Sequence, residues 1–336
     1  MSKKIKIAID AMGGENSPRK IIDGIEMSLK DNIENYFYIF GRDEILKKII
    51  SNKKNLLKRC EIINSTDIIA DHESAFSAAK KGRESSMWKA IESQKNNLCD
   101  ITLSAGNTGA LLIMSKLLLK TLNGINKPAL AGLWPSKKNM SIVLDLGANV
   151  DCSEKNLADF ACMGSALSKS IFGIDRPKVA LLNIGLEEIK GNEIIKKAYQ
   201  ELKSQNKYDY HFHGYIEGNQ IMDGLVNVIV TDGFTGNIAL KTAEGTANFI
   251  MKGLKESLGK SLINKVSLLL SYKSLKGFRD KLDPRKYNGA IFLGLNGPVV
   301  KSHGATDAKG LAYSIKMCNR IVKGNLIKKI KASLKK

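Results

Sequence analysis

Residues 230–245, VTDGFTGNIALKTAEG, hold the densest group of side chains able to do chemistry. An apolar run ends at Val230, a turn of Asp232, Gly233, Thr235, Gly236 and Asn237 follows, and a helical pattern begins. Polar residues at such a strand-to-helix switch sit where open α/β sheets place ligands. Backbone N–H groups of the turn, beside the positive end of the next helix, suit a phosphate or a developing oxyanion. Asn237 and Lys241 lie four apart and share a helix face. The chemistry indicated is the handling of an anion.

Other loops repeat the pattern. SAGNTG at 104–109 brings Ser104, Asn107 and Thr108; DLGANVD at 145–151 brings Asn149; Asn183 precedes GLEEIKGNE at 185–193, which brings Lys190 and Asn192. IAIDAMGG places Asp10 before Gly13 and Gly14, and KSHG places His303 between Ser302 and Gly304. Taken alone, 104–109 fits a plain tight turn as well as a ligand loop. Four of these loops pair a Gly with an Asn, at 106/107, 147/149, 191/192 and 236/237. Loops after parallel strands gather on one edge of a sheet, so one shared cleft is expected.

Several catalytic devices are missing from the sequence. It contains no G-x-x-x-x-G-K-[ST], no G-x-G-x-x-G, no G-x-S-x-G and no H-E-x-x-H, which argues against ATP, NAD, serine esterase and zinc protease chemistry. Among four histidines, His211 and His213 would share a strand face without an indicated carboxylate or thiol partner. Cys152 near a helix start reads as a buried thiol, because no basic residue adjoins it. Lys190, Lys241 and Lys301 stand out because each lies in or beside a Gly-rich loop. Inorganic phosphate is already a dianionic nucleophile near neutral pH. An enzyme using it needs positioned cations and amides, plus donors for a carbonyl oxygen that gains charge.

The elements that must hold these groups alternate. Strand patterns at 5–10, 36–40, 61–63, 101–103, 142–146, 178–184, 225–230 and 290–295 are interleaved with helical ones at 18–30, 73–93, 154–172 and 306–322. This predicts an α/β fold with a mostly parallel sheet covered on both faces, in one catalytic domain spanning 1–336. Within it, 249–287 changes character. Met251, Leu254, Leu258, Leu262, Val266 and Leu269 step by three or four among many lysines. The spacing predicts a basic amphipathic helix or helical hairpin, serving core packing or a dimer interface on one reading and a membrane surface on the other.

The formal charge is +20, with Lys well ahead of Arg and aromatics only 6%. Without any nucleic-acid motif, an anionic lipid or an acidic or phosphorylated partner explains the charge better than nucleic acid. A lysine-rich solvated surface accounts for much of it. Five scattered cysteines with no C-x-x-C pair predict reduced thiols in a cytoplasm. Asp10 interrupts the first apolar run too early for a signal peptide, and no apolar stretch is long enough to span a membrane.

IAIDAMGG, LSAGNTGA, LDLGANVDC, LLNIG with EEIKGNE, TDGFTGN with LKTAEG, and NGPVVKSHG occur in order along nearly the whole chain. In these motifs the sequence resembles the bacterial phosphate acyltransferases of phospholipid synthesis, the PlsX family. The resemblance implies transfer of a long-chain acyl group from acyl carrier protein to inorganic phosphate. It also implies a three-layer α/β/α, isopropylmalate-dehydrogenase-like fold, a homodimer, no metal or redox cofactor, and peripheral association with the cytoplasmic membrane, where a downstream membrane acyltransferase takes the product. Carried over by motif, Lys190 and Asn237 look like central substrate-handling residues. Asp10, Ser104, Asn107, Asn149, Asn183, Asp232 and His303 match positions that would line the cleft, with Gly13, Gly14, Thr108, Asn192, Gly233, Thr235 and Gly236 in the same loops. The chain departs from the family's common pattern at Glu15, at Leu186 and within 73–83. No role is assigned to 71–87.

Overall fold

Short apolar runs rich in Ile, Val and Leu, each stopped by a Gly, Asn or Asp turn, assemble into one eleven-stranded sheet. The computed structural model describes residues 4–31, 34–138, 140–204, 209–259, 277 and 283–334. The strands are β1 Ile5–Asp10, β2 Asn35–Gly41, β3 Cys60–Asn64, β4 Ile101–Ser104, β5 Ala129–Pro135 and β6 Met140–Leu144. They continue with β7 Lys178–Leu182, β8 His211–Ile216, β9 Val228–Val230, β10 Ala290–Leu293 and β11 Val299–Lys301. Their order across the sheet is β3-β2-β1-β4-β11-β10-β5-β6-β9-β7-β8.

The direction of pairing decides where the loops go. The strands from β3 to β11 pair in parallel, and so do those from β6 to β8. Between them the pairings β11–β10, β10–β5 and β5–β6 are antiparallel. Three reversals leave the two parallel blocks running opposite ways. The expectation that all Gly–Asn loops share one edge is therefore corrected: the 104–107 loop belongs to the first block's C-terminal edge, and the loops after β6, β7 and β9 belong to the second's. β5, which the sequence reading did not anticipate, supplies two of the reversals.

Alternation along each strand feeds two cores. Ile142, Leu144, Val228, Val230, Val179 and Leu181 join one buried cluster, while Val143, Ile229, Ala180 and Leu182 join the other. Period-two side chains point to opposite faces, so apolar residues at every position mean that both faces are covered. Helices Arg19–Ser28, Glu154–Phe172 and Ala308–Lys323 contribute to the first cluster; helices Ala75–Lys81, Ser86–Lys95 and Thr108–Leu119 contribute to the second. This is the three-layer α/β/α arrangement. Burial outweighs capping in fixing these helices. Among the fully buried side chains of Glu154–Phe172, Phe160 by itself is worth about 1.5–3 kcal/mol, against about 1 kcal/mol for a cap such as Ser153. That helix ends at Gly173 with φ 69°, as its pattern predicts.

The single helix expected over 73–93 is two. Gly82 closes the first, and Ser85 caps the second by accepting from the Trp88 N–H at 3.2 Å. Helix Gly233–Gly259 is long, and its first turns pack on the second core through Ala239, Leu240 and Ala243. Most of the expected 249–287 insertion, including Leu262, Val266 and Leu269, lies outside the described residues. No described helix is long and apolar enough to cross a membrane.

Candidate functional site

At the first block's edge, Asp10, Ser104 and Lys301 end adjacent strands in register. The turns that follow touch backbone to backbone. A Cβ on Gly13 would lie 2.5 Å from the Gly106 nitrogen, and one on Gly14 would lie 2.9 Å from both the Ala105 and the Gly304 carbonyl oxygens. Gly14 also has φ +82°, so only glycine fits there without strain. Glu15 N–H donates to the Gly304 carbonyl at 3.1 Å and Ser302 N–H to the Ser104 carbonyl at 2.8 Å, which knits the three turns.

Asp10 is the buried base of this knot. It accepts from Ser86 Oγ at 2.6 Å, Ser104 Oγ at 2.7 Å and Met12 N–H at 3.2 Å. Burial pushes its pKa up, and the two hydroxyl donors oppose that. Ser86 comes from the 71–87 stretch, which has no role in the motif reading. Asn107 is spent on architecture: its Nδ2 donates to the Asp71 and Glu73 carbonyls at 2.9 and 2.8 Å, and its Oδ1 caps helix Thr108–Leu119 by accepting from Ala110 N–H at 3.0 Å. Thr108 stands exposed at that helix start.

His303 is exposed in the third turn. Its backbone N–H donates to Asn288 Oδ1 at 2.9 Å, and its Nδ1 accepts from Ala305 N–H at 3.2 Å. An accepting Nδ1 assigns the proton of the neutral ring to Nε2. Burial, then nearby Lys301, lowers its pKa, while Glu244 raises it. Two lysines complete the knot. Lys301 Nζ donates to the Ala105 carbonyl at 3.4 Å and to the Ser302 carbonyl, and Lys20 Nζ donates to the Gly304 carbonyl. Burial depresses both, and Lys301 is lowered to about 8. Lys20 sits within an ordinary helical pattern and carries no local sequence signal.

The second block's edge is organised by Asp145, which is completely buried. Its Oδ1 accepts from the N–H groups of Leu130, Gly147 and Ala148 at 3.0, 3.1 and 2.9 Å. Its Oδ2 accepts from Asn149 N–H at 2.8 Å and Asn149 Nδ2 at 2.7 Å. Asn149 Nδ2 also reaches the Pro128 carbonyl at 2.8 Å, so this side chain holds the loop. Gly233 and Gly236 let helix Gly233–Gly259 press onto it: added Cβ atoms would meet the Asn149 carbonyl at 2.5 Å and the Asp145 carbonyl at 1.9 Å. Asp232 caps that helix through Thr235 N–H at 2.8 Å and Thr235 Oγ1 at 2.9 Å.

Asn237 is exposed and has one long bond, Nδ2 to the Leu146 carbonyl at 3.4 Å. On the neighbouring strand's loop, Asn183 Nδ2 donates to the Gly185 and Lys190 carbonyls at 3.1 and 3.2 Å, which anchors the backbone beneath the exposed Lys190 side chain. Asn192 caps helix Glu193–Ser204 by accepting from Ile195 N–H at 2.9 Å. Cys152 is a buried thiol pushed up to about 11 by that burial, in keeping with the sequence reading. Among the described residues no group of three or more His, Cys, Asp and Glu could hold a metal.

The predicted site residues therefore form two sets. Asp10, Gly13, Gly14, Ser104, Asn107, Thr108 and His303 share the first edge; Asn149, Asn183, Lys190, Asn192, Asp232, Gly233, Thr235, Gly236 and Asn237 share the second. Helix Gly233–Gly259 starts at the second edge and runs toward the first, which brings Lys241 and Glu244 within electrostatic reach of His303. Most of the Asn, Asp and Ser groups shape loops. Lys190, Asn237 and His303 keep side-chain donors for a ligand.

The family model for the fatty acid synthesis proteins matches residues 5–329. The chain is 57% identical over 334 residues to the phosphate acyltransferase of Pelagibacter ubique, covering 99% of this chain and all of that one. It is 41% identical over 335 residues to the phosphate acyltransferase of Azorhizobium caulinodans, covering 99% of this chain and 94% of the relative. A phosphotransacetylase structure from Streptococcus pyogenes shares the fold, with a TM-score of 0.63 at 18% identity over 98% of this chain and 95% of that one.

Proposed function

The chain belongs to the phosphate acyltransferase family, and on that footing we propose that it moves a long-chain fatty acyl group from acyl carrier protein to inorganic phosphate, giving acyl phosphate for phospholipid synthesis. The observation that carries this reading is the mixed character of the second edge. Beside the polar Lys190 and Asn237, six large apolar side chains stand exposed: Val150, Ile184, Leu186 and Ile189 on the loops after β6 and β7, and Phe234 and Ile238 in the first turns of helix Gly233–Gly259. Ile184 and Ile189 are 80% and 79% exposed. Exposed large apolar side chains concentrated at one edge suit a binding surface, and an acyl chain attached to a polar thioester needs both kinds of contact.

In this reaction an oxygen of hydrogen phosphate adds to the thioester carbon, and the carbon–sulfur bond breaks as the carbonyl re-forms. The proton carried by phosphate ends on the departing thiolate, so acyl phosphate and a free thiol result with no net acid or base consumed. In our reading Asn237 Nδ2 donates to the carbonyl oxygen as charge develops, and the Lys190 ammonium balances that charge or the phosphate's. Purified protein should release carrier thiol from long-chain acyl carrier protein only when phosphate is present. The double substitution Ile184→Ser with Ile189→Ser should lower the rate with a sixteen-carbon donor at least about fivefold, since each buried large apolar contact is worth more than 1 kcal/mol, and leave a two-carbon donor unaffected. Absence of phosphate-dependent release would sink the function, and faster release from acyl-CoA than from the carrier protein would reassign the donor.

We also read residues 1–336 as one catalytic unit, a homodimer held peripherally at the inner face of the cell membrane. The net charge of +20 favours an acidic carrier protein and an anionic surface alike. On helix Gly233–Gly259 the side chains of Phe249, Ile250, Met251 and Leu254 are exposed, which is unusual for an apolar set at helical spacing. Phe249→Ser with Ile250→Ser should reduce flotation with anionic vesicles or dissociate the dimer in sedimentation. A variant unchanged in both would remove this face from either role.

A further inference from the structure

Lys20 and Lys301 are only 7% and 9% exposed, and they lie on separate elements, helix Arg19–Ser28 and strand β11. Their ammonium groups donate to carbonyl oxygens of the same knot of turns: Gly304 for Lys20, Ala105 and Ser302 for Lys301. The carbonyls of Ala105 and Gly304 both flank Gly14, so the two cations are close, and each lies in the other's field or that of shared neighbours. Among the described residues neither ammonium makes an ion pair. Glu15 and Asp71 act on Lys20, and Asp71 and Asp10 on Lys301, without direct contact, and the buried Asp10 carboxylate accepts from Ser86 and Ser104.

Two buried positive charges with no carboxylate in direct contact are costly unless something negative completes them. Each ammonium has three N–H donors, and the carbonyls named use three of the six. The neighbouring glycines matter as well, since any Cβ at Gly13 or Gly14 would collide with the turns around the pair. We propose that Lys20 and Lys301 together form the subsite for a tetrahedral phosphate dianion, the acyl acceptor of the reaction. The inference rests on the phosphate acyltransferase reading and adds to it the residues that hold phosphate. It places the acceptor at the first edge, with His303 in the same turns and helix Gly233–Gly259 leading to Asn237. A phosphodiester on the donor's pantetheine arm has the same oxygens with one charge fewer, and the test separates the two sources.

Inorganic phosphate alone, without acyl donor, should raise the melting temperature of the wild-type protein in a saturable way. In Lys20→Gln and in Lys301→Gln the phosphate concentration giving half that shift should rise at least about tenfold, as for loss of one charge-assisted hydrogen bond. KM for phosphate should rise in parallel, with KM for the acyl donor unchanged, and Lys20→Arg should recover most of the shift. A rise confined to the donor KM would assign the pair to the donor's phosphodiester and overturn the proposal. An unchanged phosphate titration in a destabilised variant would make the lysines clamps for the turns, and equally overturn it. If the glutamine variants do not fold, the side-chain nitrogen signals of Lys20 and Lys301 in wild-type protein carrying ¹⁵N-lysine decide by NMR: phosphate must shift both saturably, and signals unchanged across the phosphate titration reject the subsite. If the wild type makes no acyl phosphate, the function fails, while the phosphate titration still judges the pair.

Discussion

Replacing Asp145 by Ala is expected to lower the melting temperature by about 6 °C or more and to abolish acyl transfer. Its carboxylate gathers four backbone N–H groups and the Asn149 amide, all within 3.1 Å and all buried or half-buried. Removing a shared acceptor strands these donors, and each buried donor left unpaired costs about 1–3 kcal/mol. Partial relief by entering water still leaves a loss of at least about 3 kcal/mol, or roughly 2 °C for each kcal/mol in a chain of this size. Asp145→Asn should be nearly as damaging. All five partners are donors, so an amide NH₂ in place of either oxygen faces N–H groups with no acceptor to offer. Thermal unfolding followed by circular dichroism checks both variants. A stable Asp145→Asn would show that shape, and not acceptor count, holds the loop. Activity should fall with stability because the same loop seats Gly233 and Gly236, and through them the helix that presents Asn237.

Lys190→Ala and Asn237→Ala should show the opposite separation, with stability kept and turnover lost. Both side chains are exposed, and neither anchors a loop: Asn183 holds the Lys190 backbone, and among the described residues the Asn237 side chain makes one bond, the 3.4 Å contact to Leu146. Removing one donor to a developing oxyanion commonly costs about 10²–10³ in turnover. A fall of at least about tenfold in kcat is expected for each, with the melting temperature unchanged. The split between kinetic constants assigns the roles. A fall in kcat at constant KM marks a transition-state donor, whereas a rise in KM for phosphate marks a ground-state anion contact. Unchanged kinetics in either variant would remove that residue from the mechanism.

The contrast between these two predictions reflects what a sequence can display. A Gly–Asn turn after an apolar run signals a loop at a sheet edge, and every such loop expected here exists. It does not signal whether the amide faces a ligand or the protein. Asn107, Asn149, Asn183 and Asn192 were all candidates for the cleft, and each spends its side chain on neighbouring backbone. The split of the 73–93 helix was within reach of sequence reasoning, since Gly82 followed by Ser85 is a stop and a start.

By itself the sequence determined the α/β alternation, the positions of the Gly-rich loops and the family. These are local properties: apolar period, turn residues and short motifs lie within a few residues of one another. The tertiary structure alone decided which loops share an edge, because β10, β5 and β6 reverse the sheet between its two parallel blocks. It alone brought Ser86 and Ser104 to Asp10 across 76 and 94 residues, and Lys20 to Gly304 across 284. Partners that far apart leave no period or spacing in the chain. Only the packed sheet, by fixing the direction of each strand end, selects which of many serines and lysines meet at the site.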